Sequence, residues 1–201
     1  PWIIPKKEFV KFGINIKNII QYRAIDAAII AKRKIPKNGK KLAKGSKRKM
    51  ILVRVEEEYA SYSSKKRPAI PIIKEIIKNF RNEEIVVMAR YTSQVRYLEQ
   101  TFGKKIRVLN EVVDSKILLE NTHIFVGSGG TMTAESALLG IPTISYNAVP
   151  NIIEAYLVRK KLVIRETNPK QIVISIRKIL VSSNLEIKKK SKKMLNSMED
   201  P

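Results

Sequence analysis

The chain has 201 residues, 44% of them hydrophobic, so it can close a core of domain size and is not a disordered polymer. It has no cysteine, which excludes disulfides, thiolate metal sites and cysteine nucleophiles and is compatible with a reducing, cytoplasmic setting. Forty basic against eighteen acidic side chains give a formal charge of +22, which favours anionic partners but says nothing about fold.

Residues 1–31 read as a strand, a loop around Gly13 and an apolar helix from about Ile19 to Ile30. Trp2-Ile3-Ile4 is broken by Pro5 and is too short for a signal peptide, and no apolar run reaches the ~20 residues of a membrane span. Because the chain opens on a proline in what reads as a strand, 1–31 are expected to be the remnant of an N-terminal α/β domain whose earlier part is missing. Residues 32–49 hold Lys32, Arg33, Lys34, Lys37, Lys40, Lys41, Lys44, Lys47, Arg48 and Lys49 with no acid among them, and read as a basic linker. A second basic run, Lys188 to Lys193, lies in an expected tail helix over 183–201. Such runs attract an anionic membrane surface, a polyanion or nucleic acid. Neither interleaves aromatic side chains for base stacking, so a nucleic-acid-binding module is the alternative reading and a solvated linker and tail the plain one.

From residue 50 to 182 short apolar strands alternate with helices. The strands are expected at Met50–Val55, Ile85–Ala89, Ile106–Leu109, Ile124–Val126, Thr143–Ser145 and Leu162–Ile164. The helices are expected at Pro71–Phe80, Ser93–Phe102, Val113–Glu120, Thr131–Leu139, Asn151–Lys160 and Pro169–Val181, with Asn168-Pro169 a start signal and Gly140 with Pro142 a stop. Strands that are apolar almost throughout are covered on both faces. The alternation therefore predicts a doubly wound, Rossmann-like α/β domain with a parallel sheet, whose ligands sit beyond the carboxyl ends of the strands.

The richest segment is Val126-Gly127-Ser128-Gly129-Gly130-Thr131 through Pro142, an apolar strand running into a glycine turn that opens a helix. Three familiar readings fail on the letters. A dinucleotide fingerprint would need glycine where Met132 stands and an acid near Asn147. A P-loop needs a lysine that is absent, and a hydrolase elbow needs a histidine after the serine, whereas the single histidine, His123, precedes Ser128 on the entering strand. What remains is a set of N–H and hydroxyl donors at Ser128, Gly129, Gly130 and Thr131, aimed with the helix dipole at a diphosphate. Glu135, one turn beyond Thr131, could take two hydrogen bonds from a ribose diol. Close packing of a tight crossover is the competing account of the glycines. Arg54 and Arg90 end the first two strands on the ligand side and could hold a phosphate, or could pair with Glu56, Glu57 or Glu58. The three aspartates, Asp26, Asp114 and Asp200, are unpaired in sequence, so a carboxylate-held metal site is unsupported.

The segment Gly127 to Pro142 resembles a mainly archaeal family, domain of unknown function 354. The likeness extends to Tyr22, to Val53-Arg54, to Tyr59-Ala60-Ser61-Tyr62, to Ala89-Arg90 and to Ala155-Tyr156-Leu157. That family is similar to the C-terminal half of GT-B-fold sugar-nucleotide enzymes, such as MurG-like glycosyltransferases and non-hydrolysing UDP-N-acetylglucosamine epimerases. The resemblance implies a UDP-sugar-like nucleotide-sugar as substrate, with no cofactor and no metal. It implies diphosphate binding at Ser128 and Gly129, ribose binding at Glu135, and a place beside the base for Val112. It also implies that the acceptor site and the catalytic base come from the missing N-terminal half, so that this chain alone binds weakly and turns nothing over, and that an acceptor on a membrane would place the enzyme at its surface. Family members often carry arginine where this chain has Ala134, which removes a basic contact and leaves a non-catalytic relative of the fold as a further alternative.

Overall fold

The computed structural model describes residues 1–35, 48–57, 68–110, 113–146 and 151–200. The six strands are β1 (Met50–Arg54), β2 (Glu84–Met88), β3 (Arg107–Leu109), β4 (Ile124–Gly127), β5 (Thr143–Ser145) and β6 (Val163–Arg165). The helices are α1 (Lys6–Val10), α2 (Ala27–Lys32), α3 (Ala69–Asn79), α4 (Thr92–Phe102), α5 (Ser115–Glu120), α6 (Thr131–Leu138), α7 (Ile152–Arg159), α8 (Pro169–Val181) and α9 (Leu185–Asn196). All strand pairs are parallel and the order is β3-β2-β1-β4-β5-β6, the doubly wound arrangement expected from the alternation.

Strand alternation sorts the core into two layers. Ile51, Val53, Val87 and Val126 face Ile72, Ile73 and Ile76 of α3 and Ile172 and Ile176 of α8. Leu52, Val86 and Phe125 point the other way, against Leu118 and Leu119 of α5 and Met132 of α6. Helices on both faces leave the central strands no polar side, which is why they read as unbroken apolar runs.

The N-terminal region departs from its sequence reading. No strand forms there among the described residues, and the helix expected from about Ile19 is confined to Ala27–Lys32, preceded by α1 and a 3₁₀ turn at Ile16–Asn18. Tertiary contacts hold residues 19–23 out of the helix: the Trp2 amide donates to the Tyr22 carbonyl at 3.0 Å, and Gln21 Nε2 reaches the Ile4 carbonyl. The apolar residues beyond this point pack against α6 rather than extending a helix of their own. Ala24, Ile25, Ala28 and Ala31 share one buried cluster with Ala134, Leu138, Leu157 and Met198.

Side chains tie these segments together. Buried Lys116 donates Nζ to the carbonyls of Ala31, at 2.8 Å, and Arg33, closing the C-terminal end of α2. Arg33 forms a two-oxygen ion pair with Asp114, the residue that caps α5 through the Lys116 and Ile117 amides. After α9, the Glu199 amide bonds the Arg23 carbonyl at 3.0 Å while Glu199 Oε2 accepts the Arg23 amide at 2.8 Å. Of the basic stretch 32–49, residues 36–47 lie outside the described residues, as does the Tyr59-Ala60-Ser61-Tyr62 segment.

Candidate functional site

The strand order reverses between β1 and β4, so the crevice of a doubly wound sheet opens beyond their carboxyl ends. Arg54 ends β1 and Gly127 ends β4, followed by Ser128, Gly129 and Gly130. Gly127 is glycine for packing: a Cβ there would lie 2.5 and 2.8 Å from the Phe125 ring and 3.1 Å from Thr133 Oγ1. Gly129 and Gly130 serve backbone shape, with φ of 86° and 80°. Nothing lies within 4 Å of a Cβ built on Gly130, so the space above the loop is open. Gly140, at φ 75°, ends α6, and the Ile141 amide reaches back to the Ser136 carbonyl at 3.1 Å. A Cβ on Gly140 would also strike Ser191 Oγ at 2.6 Å, so this glycine lets α9 lie close.

α6 starts at Gly130 without a capping side chain. Among the described residues no acceptor takes the amides of Ser128, Gly129, Gly130 or Thr131. These donors and the positive end of the helix dipole point the same way, an arrangement whose chemistry suits an anion. The Ser128 hydroxyl lies near the Tyr146 phenol and acts to lower its pKa. The Tyr146 hydroxyl in turn lies 2.8 Å from the Arg54 carbonyl and 3.2 Å from Glu56 Oε2, so it pins the ends of β1, β4 and β5 together. Burial, reinforced by Glu56, raises the Tyr146 phenol well above its usual range, and it stays a neutral hydrogen-bonding group.

Glu135 is 6% exposed, and among the described residues its Oε2 has no hydrogen-bond partner. Burial raises its pKa, against the lowering influence of the nearby Ser115 hydroxyl and of the charges of Arg54 and Arg33. Arg54 is half-buried, with Nη1 2.8 Å from Met132 Sδ. Its own pKa is lowered by burial and by repulsion from Arg90, while Glu135 and Glu57 pull it up. Arg54 and Glu135 thus lie close enough at the switch point for each charge to act on the other. An unpartnered buried carboxylate oxygen is costly, and native structures keep few of them.

The glycine loop, Arg54 and Glu135 are brought to one crevice. Arg90 is not held ready in the same way: it is exposed, its Nη1 pairs with Glu57 at 3.1 Å, and its amide is taken by Gln94 Oε1 at 2.9 Å. Val112 lies outside the described residues. His123 is a strand-edge residue whose Nδ1 accepts the Met50 amide at 3.1 Å, and burial beside Lys49 and Lys188 lowers its pKa. Two contributors escaped the sequence reading. Tyr146 follows β5 and carried the signal of every residue at a strand's carboxyl end. Ser115 carried none, because only the fold sets α5 beside α6. Among the described residues no group of three or more acidic or histidine side chains is placed to hold a metal ion, and no helix is long and apolar enough to cross a membrane.

Over residues 1–201 the chain matches the family described as "Protein of unknown function (DUF354)". An uncharacterized protein of Methanocaldococcus jannaschii, MJ0665, is 32% identical over 115 residues, covering 57% of this chain and 33% of that protein. Among solved structures, the UDP-GlcNAc 2-epimerase of Methanocaldococcus jannaschii superposes with a TM-score of 0.58 at 12% identity, covering 89% of this chain and 54% of the epimerase. The Neisseria meningitidis UDP-GlcNAc 2-epimerase bound to UDP-GlcNAc gives 0.57 at 17% identity, covering 98% and 54%. The spinosyn rhamnosyltransferase SpnG complexed with thymidine diphosphate gives 0.59 at 15% identity, covering 76% and 43%. These likenesses establish the fold, a GT-B-like α/β architecture common to glycosyltransferases and UDP-GlcNAc epimerases. The chain spans a third of the length of the curated relative and about half of the epimerases.

Proposed function

Because this chain belongs to the family described as protein of unknown function DUF354, we propose that it is the nucleotide-sugar-binding part of a GT-B-like sugar-nucleotide enzyme. The observation that carries this reading is the pairing, at one switch point, of uncommitted amides at Ser128 to Thr131 with a buried, partly unpartnered carboxylate at Glu135. Their chemistries are complementary to the two halves of one ligand. Amides, helix dipole and the half-buried Arg54 neutralise a diphosphate, and Glu135 accepts the hydroxyls of the ribose attached to it. The Ser128 hydroxyl joins the phosphate shell by donating its hydrogen to a phosphate oxygen. The ligands named for the structural neighbours, thymidine diphosphate and UDP-GlcNAc, belong to this chemical class.

The reaction we assign is glycosyl transfer or a related transformation of a sugar nucleotide, with the nucleotide-sugar as substrate. The acceptor site and the general base belong to a second half, in keeping with the share of the neighbours' length that this chain spans. The isolated chain is therefore expected to bind UDP weakly, with Kd of roughly a millimolar, about −4 kcal/mol, and to form no product.

Isothermal titration with UDP tests the reading on wild type and on Glu135→Ala and Arg54→Ala proteins of native circular dichroism. Binding that weakens in both variants supports it. Failure of wild type to bind at several millimolar UDP, or equal affinity in all three proteins, overturns it.

A further inference from the structure

We propose that the cleft beside the glycine loop holds the group attached to the terminal phosphate, and that its lining admits a hydroxyl-bearing ring and refuses one carrying a negative charge. The inference rests on the nucleotide reading above and names the substrate class of the same site. The cleft, of about 130 Å³, lies where the starts of α2, α6 and α7 meet, and Asp26, Gly130, Thr133, Asn151 and Glu154 are among its walls. It shares Gly130 and Thr131 with the phosphate loop, so a substituent of a phosphate bound there enters it directly.

The lining has a definite electrostatic character. In a chain with 40 basic side chains, no Lys, Arg or His is among the described residues that line this cleft, whereas two carboxylates are. Glu154 is 3% exposed; Asp26 is exposed and takes a hydrogen bond from the Tyr22 hydroxyl. An acid in the first turn of α7 favours that helix's dipole from a solvated position just as well. Glu154 instead stands in the buried wall of the cleft, where solvent screens its charge little. Thr133, 1% exposed, also lines the cleft, and among the described residues its hydroxyl has no hydrogen-bond partner. The wall therefore mixes acceptors (the carboxylates) with donors (the helix-start amides) and one uncommitted hydroxyl. A sugar ring satisfies both kinds, because each of its hydroxyls donates and accepts. A carboxylate-bearing ring sets like charges together in a poorly solvated space.

The test is titration of the chain with UDP, UDP-glucose and UDP-glucuronate. Wild type is expected to bind UDP-glucose about tenfold more tightly than UDP-glucuronate, since like-charge juxtaposition is strongly unfavourable. Glu154→Gln should close that gap to about threefold or less by improving the glucuronate affinity, with UDP unchanged. Thr133→Val removes a hydroxyl that bonds nothing in the chain, so it should leave the thermal midpoint equal or higher while weakening UDP-glucose relative to UDP. If Glu154→Gln fails to fold, the exposed Asp26→Asn carries the same comparison. Equal affinity of wild type for the two sugar nucleotides, or a gap untouched in the folded acid-to-amide variant, overturns the cleft assignment while UDP binding leaves the nucleotide reading standing. Absence of UDP binding removes both.

Discussion

The helix after β6 begins with Asn168, whose Oδ1 accepts the Lys170 and Gln171 amides at 2.9 and 3.4 Å, and with Pro169, which has no amide to satisfy. The helix after β4 begins at Gly130 with no capping side chain, in a backbone conformation only glycine adopts readily. The neighbouring crossover helices follow the first pattern: Asp114 caps α5 and Asn151 caps α7 through the Glu154 amide. A side-chain cap contributes about 1 kcal/mol, so α6 gives up stability that the helices around it keep. It also buries Glu135, whose Oε2 finds no partner, where α8 buries Ile172 and Ile176. One helix is built for the fold alone. The other, among the described residues, carries unsatisfied groups of opposite chemistry at a single crevice, a cost that the fold alone does not require.

Substitutions can break or sharpen this contrast. The largest expected effect is Gly127→Ala, because the added Cβ would sit 2.5 Å from the ring of fully buried Phe125. It should cost about 3 kcal/mol of stability, read from the urea midpoint, and it reports on packing beneath the loop and not on ligand. Lys116→Met should follow at about 2 kcal/mol, since it strips the charged donor from the Ala31 and Arg33 carbonyls. Its added signature is faster tryptic cleavage after Lys32 and Arg33, which a defect confined to the sheet would not produce.

Glu135→Gln separates function from stability. Burial raises the folded-state pKa of Glu135 above its unfolded value, so between the two the native chain holds a proton the unfolded chain has released. Stability from this group is thus present at low pH and is lost as pH rises through the window. The glutamine variant should be flatter with pH there and more stable at neutral pH, yet bind UDP about tenfold more weakly, or about 1.4 kcal/mol. Loss of stability at neutral pH with UDP affinity intact would break the contrast. The smallest effect is Asn168→Ala, about 1 kcal/mol with no change in UDP affinity.

Much of this was legible in the letters. The six strands were placed to within a residue or two because apolar runs and their glycine and proline boundaries are local signals, and β-branched strands covered on both faces need no partner to be recognised. The glycine loop was legible for the same reason, since positive φ at Gly129 and Gly130 and the stop at Gly140 are demands only glycine meets cheaply. The helix expected over Ile19–Ile30 failed where local pattern met long-range hydrogen bonds: Gln21 and Tyr22 are held by Ile4 and Trp2, contacts that no window of sequence contains. Arg54 and Arg90 looked alike as arginines ending adjacent strands. Glu57 took one into an ion pair, and α6 covered the other.

The sequence by itself determined the alternation of strands and helices, the parallel sheet and the chemistry of the loop from Ser128 to Thr131, because propensity, periodicity and backbone freedom act over a few residues. Only the tertiary structure decided that Ser115 and Arg54 lie near Glu135, that Ser128 lies near Tyr146, and that the starts of α2, α6 and α7 enclose one cleft. Those are distances between segments far apart in the chain, such as Ile25 and Leu157, and they follow from how the layers close over a shared core.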